Sequence, residues 1–262
     1  MTEQIHPIPA FSDNYIWLFK DKSSNNACVV DPGDADPVIT YLDDNKLNLS
    51  HILITHHHPD HTGGVKKLHS KYQPLVYGPK NSPFKASDKQ LKEGDEIEIF
   101  DLKLAVLEIP GHTLDHIAYF STSGPELLQP ILFCGDTLFA SGCGRIFEGT
   151  PPMMYKSLQK LAILDPSTNV FCGHEYTVAN LTFAAAAEPD NSAIQDRIIS
   201  AQDTRSKELP TLPSSISLEL ATNPFLRCQT EALQKATELK TGATQDTPVE
   251  VFAALRQWKD NF

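Results

Sequence analysis

The segment Thr55-His56-His57-His58-Pro59-Asp60-His61-Thr62-Gly63-Gly64 directly follows the apolar run Ile52-Leu53-Ile54. An apolar run that ends in a polar, glycine-containing segment is typical of a buried strand that leaves a sheet through a turn. Imidazole and carboxylate groups suit zinc, iron and manganese, and a turn after a strand can direct successive side chains at two nearby ions. The segment therefore predicts a sheet edge that carries a hydrolytic metal centre.

Three further candidate ligands follow other apolar segments. His112 ends the sequence Ile109-Pro110-Gly111-His112, Asp136 ends Phe133-Cys134-Gly135-Asp136, and His174 ends Phe171-Cys172-Gly173-His174. In each case a glycine lets the backbone turn tightly, which exposes the next side chain at the end of a strand. One such residue alone is more often an ordinary turn residue. Together with the histidine-rich segment they become candidate ligands, because two ions need more ligands than that segment supplies.

We predict a site for two divalent ions, with zinc as the assigned metal and iron and manganese as alternatives that the same ligands accept. The predicted ligands are His56, His58 and His112 for one ion and Asp60, His61 and His174 for the other, with Asp136 bridging both. This partition leaves a shared position for water, which two ions convert to hydroxide near neutral pH. Asp60 has a second predicted role, which is to orient that hydroxide by accepting a hydrogen bond from it.

The composition is that of a globular protein with an acidic surface. The 262 residues are 40% hydrophobic and 21% charged, and the formal net charge is −11, which disfavours binding to nucleic acid. No apolar run approaches the roughly 18 to 20 residues that span a bilayer, so we expect no membrane partner. The N-terminus lacks the pattern of a secretory signal, which favours the cytoplasm. The expected state is a monomer.

The cysteines give no indication of a disulfide framework. They are Cys28, Cys134, Cys143, Cys172 and Cys228. Their odd number, their wide spacing and the lack of a C-x-x-C pair also argue against a thiolate zinc site. We expect reduced and mostly buried thiols.

Secondary-structure patterns divide the chain near residue 174. Up to about Cys172, short β-rich segments alternate with turns and helical patterns, which indicates a layered α/β domain. Beyond Glu175 the pattern becomes helical. The predicted C-terminal helices are Tyr176–Ala187, Asn191–Lys207, Glu231–Lys240 and Pro248–Asp260. The last of them begins with a capping-box pattern, Thr247 with Glu250, and has proline at its first position.

The metal motifs resemble those of the metallo-β-lactamase superfamily. They are His56-x-His58-x-Asp60-His61, Gly111-His112-Thr113, Gly135-Asp136-Thr137 and Gly173-His174. Over nearly the whole chain, the wider sequence resembles glyoxalase II, the hydroxyacylglutathione hydrolase family. The segments that carry this second resemblance are Gly142-Cys143-Gly144-Arg145, Glu148-Gly149-Thr150, Gly173-His174-Glu175-Tyr176-Thr177, Asn223-Pro224-Phe225 and Arg256-x-x-Lys259.

The resemblance implies a fold, a domain organisation and a reaction. Residues 1–174 are expected to form a four-layer αββα sandwich that holds the metals, and residues 175–262 an α-helical domain that helps to bind glutathione. The implied reaction is hydrolysis of the thioester S-D-lactoylglutathione to glutathione and D-lactate, the second step of methylglyoxal detoxification. A thiolate leaves more easily than an amine or an alkoxide, so this chemistry needs no dedicated general acid.

Four side chains are predicted to bind the glutathione part of the substrate. Arg256 and Lys259 stand three residues apart on the final predicted helix, so they share a face that suits a carboxylate. The resemblance adds Arg145 and Tyr176 as glutathione contacts. Relatives often have lysine at the position of Arg145 and tyrosine at the position of Phe147. Phe147 cannot donate the hydrogen bond that a tyrosine donates.

Other functions remain open on the same metal ligands. A lactonase is the nearest alternative, because activated water attacks any acyl group, and the helical segment with Arg256 and Lys259 argues against it. The acidic composition argues against a nuclease. A persulfide dioxygenase uses one iron and fewer ligands, and a diiron redox protein usually has glutamate in place of a motif histidine. A purely structural zinc site usually has four protein ligands per ion and leaves no room for water.

Overall fold

The computed structural model describes residues 5–122 and 129–262. Within this part of the chain two compact units are present. The first unit comprises Met1–Glu108 and Asp115–Gly135, and the second unit comprises Ile109–Leu114 and Asp136–Phe262. The domain boundary expected at residues 174 and 175 lies inside the second unit, so it stays a prediction.

The first unit contains a sheet whose strands lie side by side in chain order. They are β1 (Ile5–Ala10), β2 (Asn14–Lys20), β3 (Asn26–Val30), β4 (Asn48–Leu53), β5 (Leu75–Pro79) and β6 (Lys89–Leu91). Strands β1 to β3 pair antiparallel, whereas β3 to β6 pair in parallel. Because parallel neighbours end at the same edge, the loops that leave β3 and β4 lie next to each other.

Apolar residues on both faces of β2 explain its inner position, since all of its residues except Lys20 are buried. One face of the sheet is covered by helices α1 (Ala35–Asn45) and α3 (Val65–Tyr72). Their apolar stripes, which include Leu42 and Leu68, pack in the same core as Ile16 and Ile52. Helix α1 begins at Asp34, whose side chain accepts a hydrogen bond from the backbone of Asp36.

A second set of strands in the first unit faces this sheet. They are β7 (Glu96–Ile99), β8 (Leu102–Glu108), β9 (Ile117–Ser121) and β10 (Ile131–Gly135), and they pair antiparallel in that order. The rings of Phe19 and Phe133 stack between the two layers at 5.9 Å. The hydroxyl of buried Tyr119 donates a 2.8 Å hydrogen bond to the carbonyl of Ile54. The predicted packing of sheet on sheet with covering helices is therefore confirmed.

The second unit is mainly helical. It contains β11 (Leu138–Phe139), β12 (Gly142–Cys143), α4 (Pro151–Ala162), β13 (Asn169–Cys172), α5 (Thr177–Ala187), α6 (Ser192–Ser206), β14 (Ser214–Ser215), α7 (Ile216–Thr222), a 3-10 helix (Pro224–Leu226), α8 (Glu231–Thr241) and α9 (Pro248–Asp260). None of the helices in residues 5–122 and 129–262 combines the length and the apolar character needed to cross a bilayer.

The helices predicted after residue 175 are confirmed to within a few residues. At the start of α9, Thr247 and Glu250 form the predicted capping box. Helix α7 was missed, because Pro210 and Pro213 directly before it indicated a loop. Its signal is local, since the hydroxyl of Ser215 accepts a hydrogen bond from the backbone of Leu218 and so caps the helix.

The cysteines are buried free thiols, as predicted. Burial raises the pKa of Cys172 to about 12, and it also raises the pKa of Cys28 and Cys143. Thiols with raised pKa values are poor nucleophiles and poor metal ligands at neutral pH.

Candidate metal centre

The histidine-rich segment leaves β4 and turns at once into a short helix, α2 (Pro59–Thr62). Proline at the first helical position suits this abrupt start, because its fixed φ angle is already helical and its missing N–H has no helical partner. The carbonyl of Thr55 accepts a 2.9 Å hydrogen bond from the backbone of Ile117, which holds the segment at the end of the strand. Short-range geometry therefore places the four predicted ligands of this segment, His56, His58, Asp60 and His61, at one end of the strand.

Potential ligand atoms of this segment lie close together. His56 Nε2 and His58 Nδ1 are 3.2 Å apart, and His61 Nε2 is 3.3 Å from Asp60 Oδ2. Potential ligand atoms of Asp31, His56 and His61 also lie within 4.8 Å of one another. The structure thus brings the four predicted ligands of the first unit into two close pairs.

The ligands of the second unit are gathered around one carboxylate. Asp136 Oδ2 lies 3.5 Å from His112 Nε2 and 3.2 Å from His174 Nε2. The backbone leading to His112 requires glycine at position 111, where an added Cβ would lie 2.8 Å from Met154 Cβ. Gly135, before Asp136, has a φ of +46° that a side chain rarely adopts. The structure therefore confirms the role of these glycines in shaping the strand ends.

The spacing of these atoms fits a bound divalent ion. Two nitrogen ligands at about 2.0–2.1 Å from a tetrahedral zinc ion are roughly 3.3 Å apart. The close pairs within each unit have separations of 3.2–3.5 Å, and they consist of imidazole nitrogens and carboxylate oxygens. The donor set within each unit is therefore suited to a divalent metal ion.

A layer of hydrogen bonds behind the ligands orients their rings. Asp31 Oδ2 lies 3.1 Å from His61 Nδ1 and accepts a 2.7 Å hydrogen bond from the Thr55 hydroxyl, which lies 3.0 Å from His56 Nδ1. Asn14 Nδ2 donates a 3.0 Å hydrogen bond to Asp60 Oδ2. Because an ionised carboxylate only accepts, Asp31 places the proton of His61 on Nδ1 and leaves the lone pair on Nε2.

In the second unit, His112 Nδ1 lies 2.8 Å from the carbonyl of Arg145, which has the same effect on His112. The ring of Phe147 lies edge-on to His112 at 5.3 Å and is largely exposed. Tyr176 stacks on His174 with the two rings nearly parallel, 4.7 Å between centroids. Arg145 and Tyr176 are therefore neighbours of metal-ligand candidates.

Two histidines near the ligands have other partners. His57 Nδ1 lies 2.9 Å from Asp115 Oδ1, and its ring lies edge-on to that of His58 with 5.1 Å between the centroids. The ring of His116 stacks on His56 at 4.5 Å, and its Nδ1 lies 3.1 Å from the carbonyl of Ile117. These contacts place His116 against the ring of His56.

The cationic side chains of the second unit form a group that we call the cationic patch, defined as Arg145, Arg256 and Lys259. Arg256 is only 4% exposed. Its Nη1 donates a 3.0 Å hydrogen bond to the carbonyl of Cys143, so α9 is tied to the segment that carries Arg145. Lys259 donates to the amide oxygen of Asn180 and lies over the ring of Phe183. Arg145 is exposed.

Lys259 is less basic than an ordinary lysine. Burial lowers its pKa to about 8, and the positive charge of Arg256 contributes in the same direction. A carboxylate near this partly buried ammonium group offsets both the effect of burial and the repulsion from Arg256, so the site favours an anion.

Sequence reasoning missed several residues that support the site. Asp31 follows the apolar run Cys28–Val30 in the same way that the predicted ligands follow theirs, so its signal was present. Asn180 and Asn223 had no such signal, because uncharged amides occur in many turns and helices. Asn223 Nδ2 donates to the carbonyls of Phe139 and Gly142, which holds the turn between β11 and β12.

The Asp31 contacts lead to a testable expectation. Replacing Asp31 with asparagine is expected to weaken zinc binding by about 10- to 100-fold, because the amide no longer accepts from both Thr55 and His61. Asparagine tolerates the positive φ of 53° found at this position, so the backbone is preserved. Competition with a chromophoric chelator measures the affinity. The exposed Asp44→Asn variant is the control, and equal affinities in the two variants would contradict the orienting role.

Comparison with known proteins places the chain in a family. Residues 11–174 match the family model described as Metallo-beta-lactamase superfamily, and residues 175–262 match the one described as Hydroxyacylglutathione hydrolase C-terminus. The hydroxyacylglutathione hydrolase of Pseudomonas aeruginosa strain LESB58 is 50% identical over 260 residues, which is 99% of each chain. That of Chromohalobacter salexigens is 50% identical over 256 residues, 98% of each chain.

A solved structure extends the likeness to the fold. The crystal structure of ETHE1 from Myxococcus xanthus matches with a TM-score of 0.65, covers 97% of each chain and is 24% identical in sequence. At that identity the likeness concerns the fold alone. With the family matches, it confirms the predicted αββα fold and the C-terminal helical region. The chain belongs to the hydroxyacylglutathione hydrolases, metal-dependent hydrolases of the metallo-β-lactamase superfamily.

Proposed function

We propose that this protein hydrolyses S-D-lactoylglutathione to glutathione and D-lactate. The observation that carries the proposal is the 50% identity to hydroxyacylglutathione hydrolases over 99% of each chain, which includes the helical segment at residues 175–262. A likeness limited to the metal motifs would support any acyl substrate equally well. The match of the helical segment therefore supports a glutathione thioester as the substrate in preference to a lactone.

The proposed metal ligands are the seven side chains predicted from the sequence. We infer that His56, His58 and His112 hold one ion, that Asp60, His61 and His174 hold the other, and that Asp136 bridges the two. Zinc is the proposed metal, with iron and manganese as alternatives, since these ligands accept all three. The 3.2–3.5 Å spacings within each unit support this assignment.

Two such ions, when bound, lower the pKa of water to near 7 and polarise a carbonyl oxygen. The protein's own contribution is to direct the reacting groups. Asn14 holds Asp60 Oδ2, so that this carboxylate is proposed to accept a hydrogen bond from the attacking water and orient it. The thiolate of glutathione leaves without a dedicated acid, because an alkyl thiol has a pKa of about 8.5.

The cationic patch and Tyr176 are proposed to bind the glutathione part. Lys259 carries an ammonium group that burial makes an unusually strong partner for a carboxylate, and Arg145 is exposed to solvent. Arg256 is buried, with Nη1 bound to Cys143, so its proposed contribution is positive charge and the anchoring of α9. Tyr176 stacks on His174 with 4.7 Å between the ring centroids, so its side chain lies directly beside a proposed metal ligand.

We also propose the remaining features of the protein's organisation. Residues 1–174 form the catalytic domain and residues 175–262 the substrate-binding domain, in agreement with the two family matches, which meet between residues 174 and 175. A monomer in the cytoplasm is the proposed state, with no nucleic-acid or membrane partner. The net charge of −11 supports the exclusion of nucleic acid.

The function is tested by comparing substrates for the zinc-loaded protein. Hydrolysis of S-D-lactoylglutathione is followed by the loss of thioester absorbance, beside a lactone and a phosphodiester under the same conditions. We expect a kcat/KM for the thioester at least about a hundredfold above that for the lactone, since only the thioester offers the carboxylates of glutathione. A preference for the lactone would overturn the glutathione assignment.

The lowered pKa of Lys259 predicts a pH dependence of binding. The pKa falls from 10.5 to about 8 in the folded protein, so the ammonium charge is present below pH 8 and is lost as the pH rises through that value. Affinity for S-methylglutathione, a non-hydrolysable competitor, is therefore expected to fall between pH 7 and 9. Arginine keeps its charge over this range, so Lys259→Arg is expected to remove that step. An identical profile in both proteins would contradict the prediction.

A further inference from the structure

One acidic side chain, Asp260, lies among the three cations of the cationic patch. Its Oδ1 accepts hydrogen bonds from Arg256 Nε at 3.2 Å and from Arg256 Nη2 at 2.9 Å. The same oxygen lies 3.8 Å from Arg145 Nε. Asp260 also follows Lys259 directly in sequence and interacts favourably with its ammonium charge. One carboxylate therefore faces all members of the patch.

The contacts of Arg256 show what this carboxylate does locally. Asp260 binds one edge of the guanidinium group, while Nη1 on the other side binds the carbonyl of Cys143. With both edges held and a Phe225 ring 5.1 Å away, the group has a fixed orientation in the interior. Arg145 follows Cys143 by two residues, so the anchoring of Arg256 also limits where Arg145 lies. Three cations without a counter-charge would instead repel one another.

We propose that Asp260 is a positioning residue that arranges the cationic patch to bind the glycine carboxylate of the glutathione part at neutral pH. This inference rests on the proposed function. Asp260 does not contact the reacting thioester in this proposal, because it acts through Arg145, Arg256 and Lys259. It neutralises one of the three positive charges and leaves a net positive patch for the substrate.

Asp260 also affects the pKa of Lys259, together with the other groups around that ammonium. The charged or titratable groups that act on it are Arg256 and Asp260 on α9 and Cys143 and Arg145 from β12 and the residues after it. Helix α5 contributes the uncharged Asn180 and Phe183. Asp260 is the carboxylate in this set and it raises the pKa of Lys259, so its removal is expected to lower that pKa further. Less of the ammonium form then remains at pH 7.

The test compares Asp260→Asn with the wild-type holoenzyme. At pH 7 the KM for S-D-lactoylglutathione is expected to rise about five- to tenfold, with kcat changed less than about twofold, because substrate binding and not chemistry is affected. The KM for the glycine ethyl ester of the same thioester is expected to stay constant, since that substrate lacks the carboxylate. NMR of ¹³Cε-labelled lysine, assigned with Lys259→Met, is expected to show the Lys259 titration at lower pH.

Two variants separate positioning from simple loss of packing. Asp203→Asn removes another i,i+4 ion pair on an exposed helix face, that with Lys207, and is expected to change neither KM nor the NMR titration. Asp260→Glu keeps the charge and is expected to restore the Lys259 titration to its wild-type midpoint. An unchanged KM and midpoint in Asp260→Asn, or an equal rise of KM for acid and ester, would overturn the proposal.

Failure of the proposed function is distinguishable from failure of this inference. If the wild-type protein does not hydrolyse glutathione thioesters, the kinetic comparison has no signal, and the proposed function fails. The NMR titration still reports whether Asp260 controls Lys259 in the absence of substrate. If the wild-type protein hydrolyses the thioester but the Asp260→Asn values match the wild type, the inference alone fails.

Discussion

Replacing Asp136 with asparagine is expected to reduce kcat/KM by at least about a thousandfold, which corresponds to roughly 4 kcal/mol of transition-state stabilisation. Asp136 Oδ2 is 3.5 Å from His112 Nε2 and 3.2 Å from His174 Nε2, so the carboxylate serves both imidazoles of the second unit. An amide has nearly the same shape but no negative charge. Of the seven proposed ligands, this one contacts both ions in the proposed partition.

Metal analysis provides a readout independent of activity. We expect Asp136→Asn to retain less zinc per chain than the wild type after dialysis against a weak chelator, because its two histidines lose their shared anionic partner. The exposed Asp190→Asn variant in the same unit is the control and should keep both metal and activity. Full metal content with more than about a tenth of the wild-type activity would show that Asp136 is not a bridging ligand.

Replacing Glu219 with alanine is expected to lower the free energy of unfolding by about 3–5 kcal/mol. Glu219 is completely buried, and its Oε1 pairs with Arg197 Nη2 at 2.7 Å. Its Oε2 accepts from the backbone of Ser141 at 2.8 Å and from Asn223 Nδ2 at 2.9 Å. The alanine variant leaves the guanidinium group of Arg197 buried without its anionic partner.

Urea denaturation measures this loss, with Glu238→Ala on the exposed side of α8 as the control. That variant is expected to change the free energy of unfolding by less than about 0.5 kcal/mol. The double variant Glu219→Met with Arg197→Met is expected to recover part of the loss, because apolar side chains remove the uncompensated charge. A loss below about 1 kcal/mol in Glu219→Ala would mean that water or other side chains solvate Arg197 in the folded state.

This buried network also holds the backbone that carries part of the cationic patch. Ser141, which Glu219 holds through its backbone N–H, has a φ of +53° that is unfavourable for a residue with a side chain. It lies in the turn between β11 and β12, two residues before Cys143, whose carbonyl accepts from Arg256. The cost of this conformation is offset by the hydrogen bonds of Glu219 and Asn223.

Much of the metal site was predictable because its signals are local. A strand end, a glycine and a polar side chain occur together at His112, Asp136 and His174, and the histidine-rich segment contains four proposed ligands within six residues. The capping box of α9 was predictable for the same reason, since Thr247 and Glu250 are three residues apart. Helix α7 was missed because the prolines before it are typical of a loop, and the capping residue Ser215 is the main local signal for this short helix.

The contacts of the supporting residues were not predictable, because their partners lie far away in sequence. Asp31 orients His61 thirty residues later, and Glu219 holds Ser141 seventy-eight residues earlier. Arg256 illustrates the same limit. Its spacing from Lys259 indicated a shared face, yet burial against Cys143, 113 residues away, makes it an anchor as well as a charge.

The sequence by itself determined the types of metal ligand, the chemistry that they support and the helical character of the C-terminal region, because all three are encoded by residue type and short-range spacing. The tertiary structure alone decided which nitrogen of His61 and His112 is left for a proposed metal ion, how Arg256 is oriented and why Lys259 is a weak base. These properties arise from hydrogen bonds, burial and charges that act through space, and those depend on distances that only the folded chain defines.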